Sequence, residues 1–487
     1  MAENLDGSYF FLGNKVAPVQ DQITEIYSPI DGSSVGKVHE FTHQEIDETF
    51  EFLAKNQPAW EAVPVDQRAK ALNRVADLLE ENLEELSDLI VMEIAKSKKD
   101  AKDEVTRSAD FVRYTAEEAK RANGETQFSD AFPGQGRNKL AVVHRVPLGI
   151  VLAIPPFNYP VNLALSKIAP GLATGNAVLL KPPTQGSVVG TYLGKLLLDA
   201  GIPKGVMAVV TGRGSRIGDY LVQHPKVSMI SFTGSTETGI SLAKKAGMVP
   251  LMLELGGKDA AIVLEDADLE AAAQDIVAGA FAYSGQRCTA VKRVLVSETI
   301  ADQLVNLLEE KIKKLQVGDP RDNAVITPLV EISTAEKGEE LISQAVNKGA
   351  RLVVGGTRES NILPPALLDH VTTDMDIAWV EPFAPILPII RVKNAQDALH
   401  IANESEYGLQ AAIFSKDIDG ALKLAMNLDV GSVQINGKTS RGPDHFPFVG
   451  AKNSGMGAQG VRYSIEAMTR VKTIIFNMKD PNLEKMK

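Results

Sequence analysis

The chain has 487 residues, of which 44% are hydrophobic and 23% charged, with a formal net charge of −11 at pH 7 and one cysteine, Cys288. That length accommodates about three domains, or two with an appendage, with ample material for buried cores. The acidic balance argues against a sequence-independent nucleic-acid binder, which needs Lys and Arg gathered on one surface, but leaves room for a local basic pocket, and a single cysteine excludes an intramolecular disulfide.

The opening run Met1-Ala2-Glu3-Asn4-Leu5-Asp6-Gly7 carries neither a basic nor an apolar segment, so a reducing cytoplasm is the expected setting. Residues 44–122 are predicted to be helical: Leu72, Val75, Ala76, Leu78 and Leu79, then Leu83, Leu86, Leu89 and Ile90, recur at helical spacing. In the last of these helices, over 104–121, Arg107, Phe111 and Tyr114 fall on one stripe. A loop is expected over 123–137, then a strand over 140–144, with a second β-branched and aromatic run at 471–476. The apolar region 145–180 is interrupted by Pro147, Pro155, Pro156, Pro160 and Pro170, so it reads as buried core and no membrane partner is expected.

From Gly149 to Gly257 the pattern alternates. Strands are predicted over 150–154, 177–180, 206–210 and 229–232, and helices from Asn162 and over 187–198, 216–223 and 237–245. A second alternating region runs from Ala260 to about Gln434, with helices over 269–281 and 301–315 and strands near 352–354, 386–390 and 411–414. The fold class is therefore α/β, with two doubly wound parallel-sheet domains. Their boundary falls at Gly256-Gly257, which puts Cys288 in the second domain near its junction with the first.

Several stretches carry chemistry. Cys288 stands in Tyr283-Ser284-Gly285-Gln286-Arg287-Cys288-Thr289-Ala290, after a Gly-Gln turn. The thiol is a candidate nucleophile and Arg287 a candidate source of positive charge beside it, although a lone cysteine is more often an inert small hydrophobe in a core. Glu254 lies in the apolar run Pro250-Leu251-Met252-Leu253-Glu254-Leu255, where burial raises a carboxylate's pKa and suits a general base; its rival role is an ion pair with Lys258. Asn158, set between prolines in Pro156-Phe157-Asn158-Tyr159-Pro160, has the rigidity an oxyanion donor needs, and asparagine is also an ordinary turn residue.

Phe232-Thr233-Gly234-Ser235 joins a strand to a helix start and offers free amides to a phosphate, a plain Ser cap being the simpler alternative. It is no Walker loop, because no Lys-Ser or Lys-Thr follows. The glycines of Gly212-Arg213-Gly214-Ser215-Arg216-Ile217-Gly218 are spaced one residue too widely for the common dinucleotide fingerprint. Lys181, at the end of a predicted strand, and Thr184 put a cation and a hydroxyl where NAD-preferring sites place a carboxylate, so a dinucleotide bound here is expected to be NADP. No metal site is expected.

Phe157-Asn158-Tyr159-Pro160, Phe232-Thr233-Gly234-Ser235, Glu254-Leu255-Gly256-Gly257-Lys258 and Gly285-Gln286-Arg287-Cys288 occur in that order. With Glu381-Pro382-Phe383-Ala384-Pro385, Glu406-Tyr407-Gly408-Leu409 and Gly431-Ser432-Val433-Gln434-Ile435-Asn436 downstream, the chain resembles the aldehyde dehydrogenase superfamily over essentially its whole length. Within it, Lys181-Pro182-Pro183-Thr184-Gln185 and Phe446-Pro447-Phe448-Val449-Gly450-Ala451-Lys452 are similar to the NADP-dependent, non-phosphorylating glyceraldehyde-3-phosphate dehydrogenases. Two positions depart from the superfamily: Phe157 stands where Trp is common, and Ala384 where Gly is usual, close to the nicotinamide.

The resemblance implies oxidation of glyceraldehyde 3-phosphate to 3-phosphoglycerate in glycolysis, with NADP and without an acyl phosphate. It implies Cys288 as nucleophile, Asn158 as oxyanion donor and Glu254 as the base that activates water. It implies Arg107, Tyr159, Arg287 and Arg441 around the substrate phosphate, where guanidinium groups match the oxygens of a dianion. Lys181, Thr184, Asp219, Ser235 and Glu381 are implied on the cofactor side. It divides the chain into a cofactor domain (1–124 and 148–255), a catalytic domain (256–445) and an oligomerisation arm (125–147 and 465–487), which implies a homotetramer built from dimers. Another aldehyde, such as succinate semialdehyde, and a catalytically silent homologue are the rival readings.

Overall fold

The computed structural model describes residues 6–122 and 124–478. Residues 1–5, Asn123 at the start of the expected loop, and the arm's end at 479–487 lie outside the described residues. Two hairpins open the chain, β1 (Tyr9–Phe11) with β2 (Asn14–Val16) and β3 (Ile23–Tyr27) with β4 (Ser34–His39). The expected helical layer follows as α1 (His43–Glu61), α2 (Val65–Glu81), α3 (Leu83–Ile94) and α4 (Lys98–Ala119). Thr42 and Glu45 cap α1 reciprocally, and Ser97 accepts from the Asp100 N–H to start α4. Leu72, Val75, Ala76, Leu78 and Leu79 are buried, as their spacing requires. On the stripe of α4, Phe111 is buried, whereas Arg107 and Tyr114 reach Asp444 and His445.

The segment 123–137 is not wholly loop. β5 (Glu125–Phe128) pairs antiparallel with β6 (Lys139–Pro147), which pairs in turn with the strand Thr469–Asn477. All four residues of β5 are exposed, so no alternation of apolar and polar residues marked it; its pairing with β6 specifies it instead. The helix Val461–Ala467 precedes the last strand and buries Val461 and Ile465 in the main core.

The first large sheet holds β7 (Ile150–Ile154), β8 (Ala177–Leu180), β9 (Met207–Val209), β10 (Met229–Thr233) and β11 (Leu251–Glu254). They alternate with α5 (Asn162–Ala173), α6 (Ser187–Asp199), α7 (Gly214–Val222) and α8 (Thr236–Lys245). The order is β11-β10-β7-β8-β9, all parallel, with Gly455–Met456 added antiparallel to β11. Every residue of α5 is buried, in line with the core reading of 145–180. No described helix is long and apolar enough to cross a membrane.

The second sheet begins with β12 (Ala260–Val263), then α9 (Leu269–Phe281), β13 (Arg293–Ser297), α10 (Ala301–Ile312), α11 (Ile332–Asn347), β14 (Arg351–Val354), β15 (Ala366–Asp369) and β16 (Ile386–Val392). Its order is β14-β15-β16-β13-β12, continued by Gln410–Phe414 and Ser432–Ile435, parallel except for β14. The link 255–259 carries the chain from the C-terminal end of β11 to the N-terminal end of β12. In register with β12, β13 also starts there, Ala260 opposite Arg293. The loop before β13, which holds Cys288, is thereby brought to the C-terminal edge of the first sheet.

Candidate active site

β7 and β10 lie side by side where the strand order of the first sheet reverses, the place where doubly wound sheets leave a crevice. The loops leaving these strands open a cleft of ≈ 770 Å³. Its walls include Asn158, Lys181, Asp219, Ser235, Cys288 and Glu381.

The turn carrying Cys288 is strained. Tyr283 and Ser284 have φ of 51° and 54°, left-handed values that cost a non-glycine residue about 1–2 kcal/mol each. Bonds from Tyr283 Oη to the Ile94 carbonyl (2.6 Å) and from Ser284 Oγ to the Thr327 carbonyl (2.9 Å) hold them. Cys288 is half-buried, and desolvation pushes its thiol up to about 11. Lys292 is the cation that pulls it down; it contacts the Cys288 carbonyl and pairs with Glu381 at 3.1 Å. Arg287 is not that cation, contrary to the sequence-based expectation. Its guanidinium donates to the carbonyls of Gly279 and Ala282 at the C-terminal end of α9, where positive charge is favoured.

Asn158 is buried, and its Nδ2 donates to the Gln286 carbonyl at 2.8 Å, two residues before Cys288. An amide nitrogen carries two hydrogens, so one remains for an oxyanion. The Cys288 N–H donates to no backbone carbonyl among the described residues and is a second available donor. A buried pair behind this loop, Lys96 and Glu104, positions it. Lys96 donates to the Asn158 carbonyl (2.6 Å) and lies 3.7 Å from the centre of the Tyr159 ring, while Glu104 accepts from the N–H groups of Val161 and Asn162.

Glu254 ends β11, buried behind the cleft wall. Its surroundings are less apolar than the neighbouring residues suggest: Oε2 accepts from Thr233 Oγ1 (3.1 Å) and from Arg441 Nη1 (2.8 Å). Lys258 is not its partner, since that ammonium donates to the Val380 carbonyl. Lys167 of α5 donates to Thr233 Oγ1 at 2.7 Å, and desolvation pulls this lysine down to about 8.

Of the residues expected around a substrate phosphate, Arg107 and Arg441 come together at Asp444. Arg107 takes both oxygens of that carboxylate, at 2.6 and 2.8 Å, and donates to the Arg441 carbonyl. Arg441 and Asp444 line a second, smaller cavity of ≈ 60 Å³. Arg287 donates to the end of α9 through Nε and Nη2.

On the cofactor side Lys181 is buried, its ammonium donates to the Pro182 carbonyl, and no carboxylate pairs with it among the described residues. Desolvation pulls it down to about 8. A buried cation without a counter-charge fits a phosphate such as that of NADP. Thr184 lies exposed in the following loop, outside the cleft lining. Ser235 caps α8 by accepting from the Thr238 N–H, so the cap reading of that motif holds, and it lines the cleft as well. Asp219 lines the cleft but is paired with Lys245 at 2.7 Å. Glu381 accepts from the Gly257 N–H. Ala384 costs no left-handed strain, because the positive φ (47°) falls on Phe383 and the Ala384 methyl packs into the second core. Phe157, in the usual place of Trp, meets Phe383 edge-on at 6.0 Å.

Sequence reasoning missed Lys96, Glu104, Lys167, Lys292 and Asp444. Only Lys167 carried a signal, a charge inside the apolar run Ala164-Leu165-Ser166-Lys167-Ile168-Ala169.

The model of the aldehyde dehydrogenase family matches residues 16–474. The chain is 51% identical over 454 residues to an NADP-dependent glyceraldehyde-3-phosphate dehydrogenase of Streptococcus equinus, covering 93% of this chain and 95% of that one. It is 47% identical to the protein so named in Pisum sativum, over 99% of this chain and 98% of that one. The crystal structure of an NADP-dependent glyceraldehyde-3-phosphate dehydrogenase from Bacillus halodurans C-125 complexed with NADP superposes with a TM-score of 0.96 at 50% identity, covering 97% of this chain and 99% of that one. On its fold, its motifs and these matches, the chain belongs to the aldehyde dehydrogenase family.

Proposed function

We propose that the chain oxidises glyceraldehyde 3-phosphate to 3-phosphoglycerate with NADP, through Cys288 and without an acyl phosphate. The observation that carries this reading is the meeting of Arg107 and Arg441 at Asp444, with Arg441 also bonded to Glu254. A site for an anionic substrate group therefore adjoins the base. The names of the relatives support the same substrate and cofactor.

Cys288 Sγ, once deprotonated, bonds to the aldehyde carbon, and the resulting oxyanion accepts from Asn158 Nδ2 and the Cys288 N–H. Bound NADP supplies the acceptor for the hydride that leaves this carbon. Lys181, Thr184, Asp219, Ser235 and Glu381 hold the dinucleotide, Lys181 supplying the positive charge opposite its extra phosphate. Glu254 then takes a proton from water as the water oxygen bonds to the thioester carbon and the carbon–sulfur bond breaks. Arg107, Arg441 and Tyr159 grip the substrate phosphate, with Arg287 adding the Nη1 that the Gly279 and Ala282 carbonyls leave free.

The same reading assigns 1–124 and 148–255 to the cofactor domain, 256–445 to the catalytic domain, and 125–147 with 465–487 to an oligomerisation arm. Val471, Ile474, Ile475 and Phe476 expose apolar surface on the last strand, which supports a homotetramer. The enzyme then acts in cytoplasmic glycolysis. Comparing kcat/KM for glyceraldehyde 3-phosphate and succinate semialdehyde with NADP tests the substrate; a preference for the semialdehyde rejects it.

A further inference from the structure

Arg441 makes two separate commitments. Its Nη1 donates to Glu254 Oε2 at 2.8 Å and its Nη2 to Gln459 Oε1 at 2.6 Å, while its Nε lies 3.7 Å from Asp444 Oδ1. Arg107 holds both oxygens of Asp444. Two guanidinium groups thus face two carboxylates, and the Lys167 ammonium stands one hydroxyl away from Glu254, on Thr233.

A phosphate dianion entering this cluster meets cations that are already paired. It gains both Nη atoms of Arg441 only by displacing Glu254 from Nη1 and Gln459 from Nη2. Asp444 is gripped at both oxygens by Arg107, whereas Glu254 has only the Thr233 hydroxyl besides Arg441. Glu254 is therefore the carboxylate that yields. While it stays paired, Arg441 and Thr233 hold its Oε2 behind the cleft wall, outside the lining that includes Cys288.

We propose that Arg441 is a shared cation, restraining Glu254 in the empty site and passing to the phosphate of bound substrate, so that phosphate recognition itself releases the base. This rests on the substrate reading above. In the step affected, the oxygen of water bonds to the thioester carbon, its proton goes to Glu254, the carbon–sulfur bond breaks, and sulfur departs as the Cys288 thiolate. Selection for a phosphorylated aldehyde then acts in hydrolysis of the thioester as well as in binding. An aldehyde without phosphate acylates Cys288 and leaves it slowly.

The test follows single turnovers of the full chain with NADP, reading NADPH formation for acylation and decay of the thioacyl enzyme for hydrolysis. Glyceraldehyde is used alone and with inorganic phosphite, a dianion that enters the phosphate site without the carbon chain. In the unmodified enzyme, phosphite is expected to speed thioacyl decay about tenfold, the scale of one charge-assisted hydrogen bond. In Arg441→Gln, decay with glyceraldehyde alone is expected to exceed that of the unmodified enzyme, and phosphite to add nothing. Three results overturn the proposal: decay insensitive to phosphite in the unmodified enzyme, decay in Arg441→Gln no faster than before, or no acylation by glyceraldehyde, which puts the phosphate's effect in the first step. If Arg441→Gln does not fold, the phosphite response of the unmodified enzyme decides alone. A parallel run with glyceraldehyde 3-phosphate separates the two readings. No NADPH there rejects the substrate, whereas NADPH there with no phosphite response rejects only the shared cation.

Discussion

Lys96 Nζ donates to the carbonyl oxygen of Asn158 at 2.6 Å, while Glu104, its buried ion-pair partner, accepts from the N–H groups of Val161 and Asn162. One pair thus fixes both sides of the turn that carries the oxyanion donor. Removing one member leaves an uncompensated buried charge. Lys96→Met is expected to destabilise the fold by about 3–5 kcal/mol, measured by denaturant unfolding. Acylation is also expected to slow, because the Asn158 amide loses its setting. A variant as stable and as fast as the parent would mean that the pair is incidental.

Lys181 offers a second test, through pH. Desolvation lowers its pKa to about 8, so the ammonium is charged below that pH and neutral above it. Affinity for NADP is therefore expected to fall as pH rises through about 8, while affinity for NAD stays flat. Lys181→Ala is expected to weaken NADP by roughly 10–100-fold, the worth of a charged hydrogen bond, and NAD hardly at all. Isothermal titration calorimetry with each nucleotide reads both.

Reactivity of the thiol gives a third. Desolvation raises the thiol pKa to about 11, so Cys288 is mostly protonated at pH 7 in the empty enzyme. Alkylation by iodoacetamide is thus expected to keep rising with pH beyond 9. Lys292 holds the thiol pKa down, so Lys292→Met raises it further and slows alkylation at pH 8. Faster alkylation of that variant would contradict the assignment of the charge.

The arm can be tested by size. Ile474 and Phe476 lie two apart on one face of the last strand, and both are exposed. Replacing both with Asp is expected to give a smaller assembly in light scattering, and an unchanged mass would remove this face from the interface.

What was legible in the sequence follows from the range of the interactions. The strand Ile150–Ile154 and the helix Leu269–Phe281 have the bounds read from periodicity, because buried strands and helices carry their pattern locally. The exposed β5 had no such pattern. Cys288, Glu254, Asn158 and Lys181 stand in recognisable runs at strand ends and turns. Lys96, Lys292 and Asp444 were invisible, since a single charged residue has no signature until the chain brings its partner near. Arg287 was misread for the same reason: adjacency in sequence put it beside the thiol, whereas the helix end of α9 claims its charge.

Glu254 stands at the centre of the proposed chemistry, and its removal separates the two steps. Glu254→Ala is expected to form about one NADPH per subunit and then stall, with steady turnover down roughly 10²–10⁴-fold, the usual contribution of a general base. Loss of the burst itself would move Glu254 to the first step.

The most direct measurement mixes the full chain with glyceraldehyde 3-phosphate and NADP in buffer free of inorganic phosphate, following NADPH and identifying the acid formed. The expected result is continuous turnover with one 3-phosphoglycerate for each NADPH, abolished in Cys288→Ser. No NADPH, or turnover that starts only when inorganic phosphate is added, would contradict it.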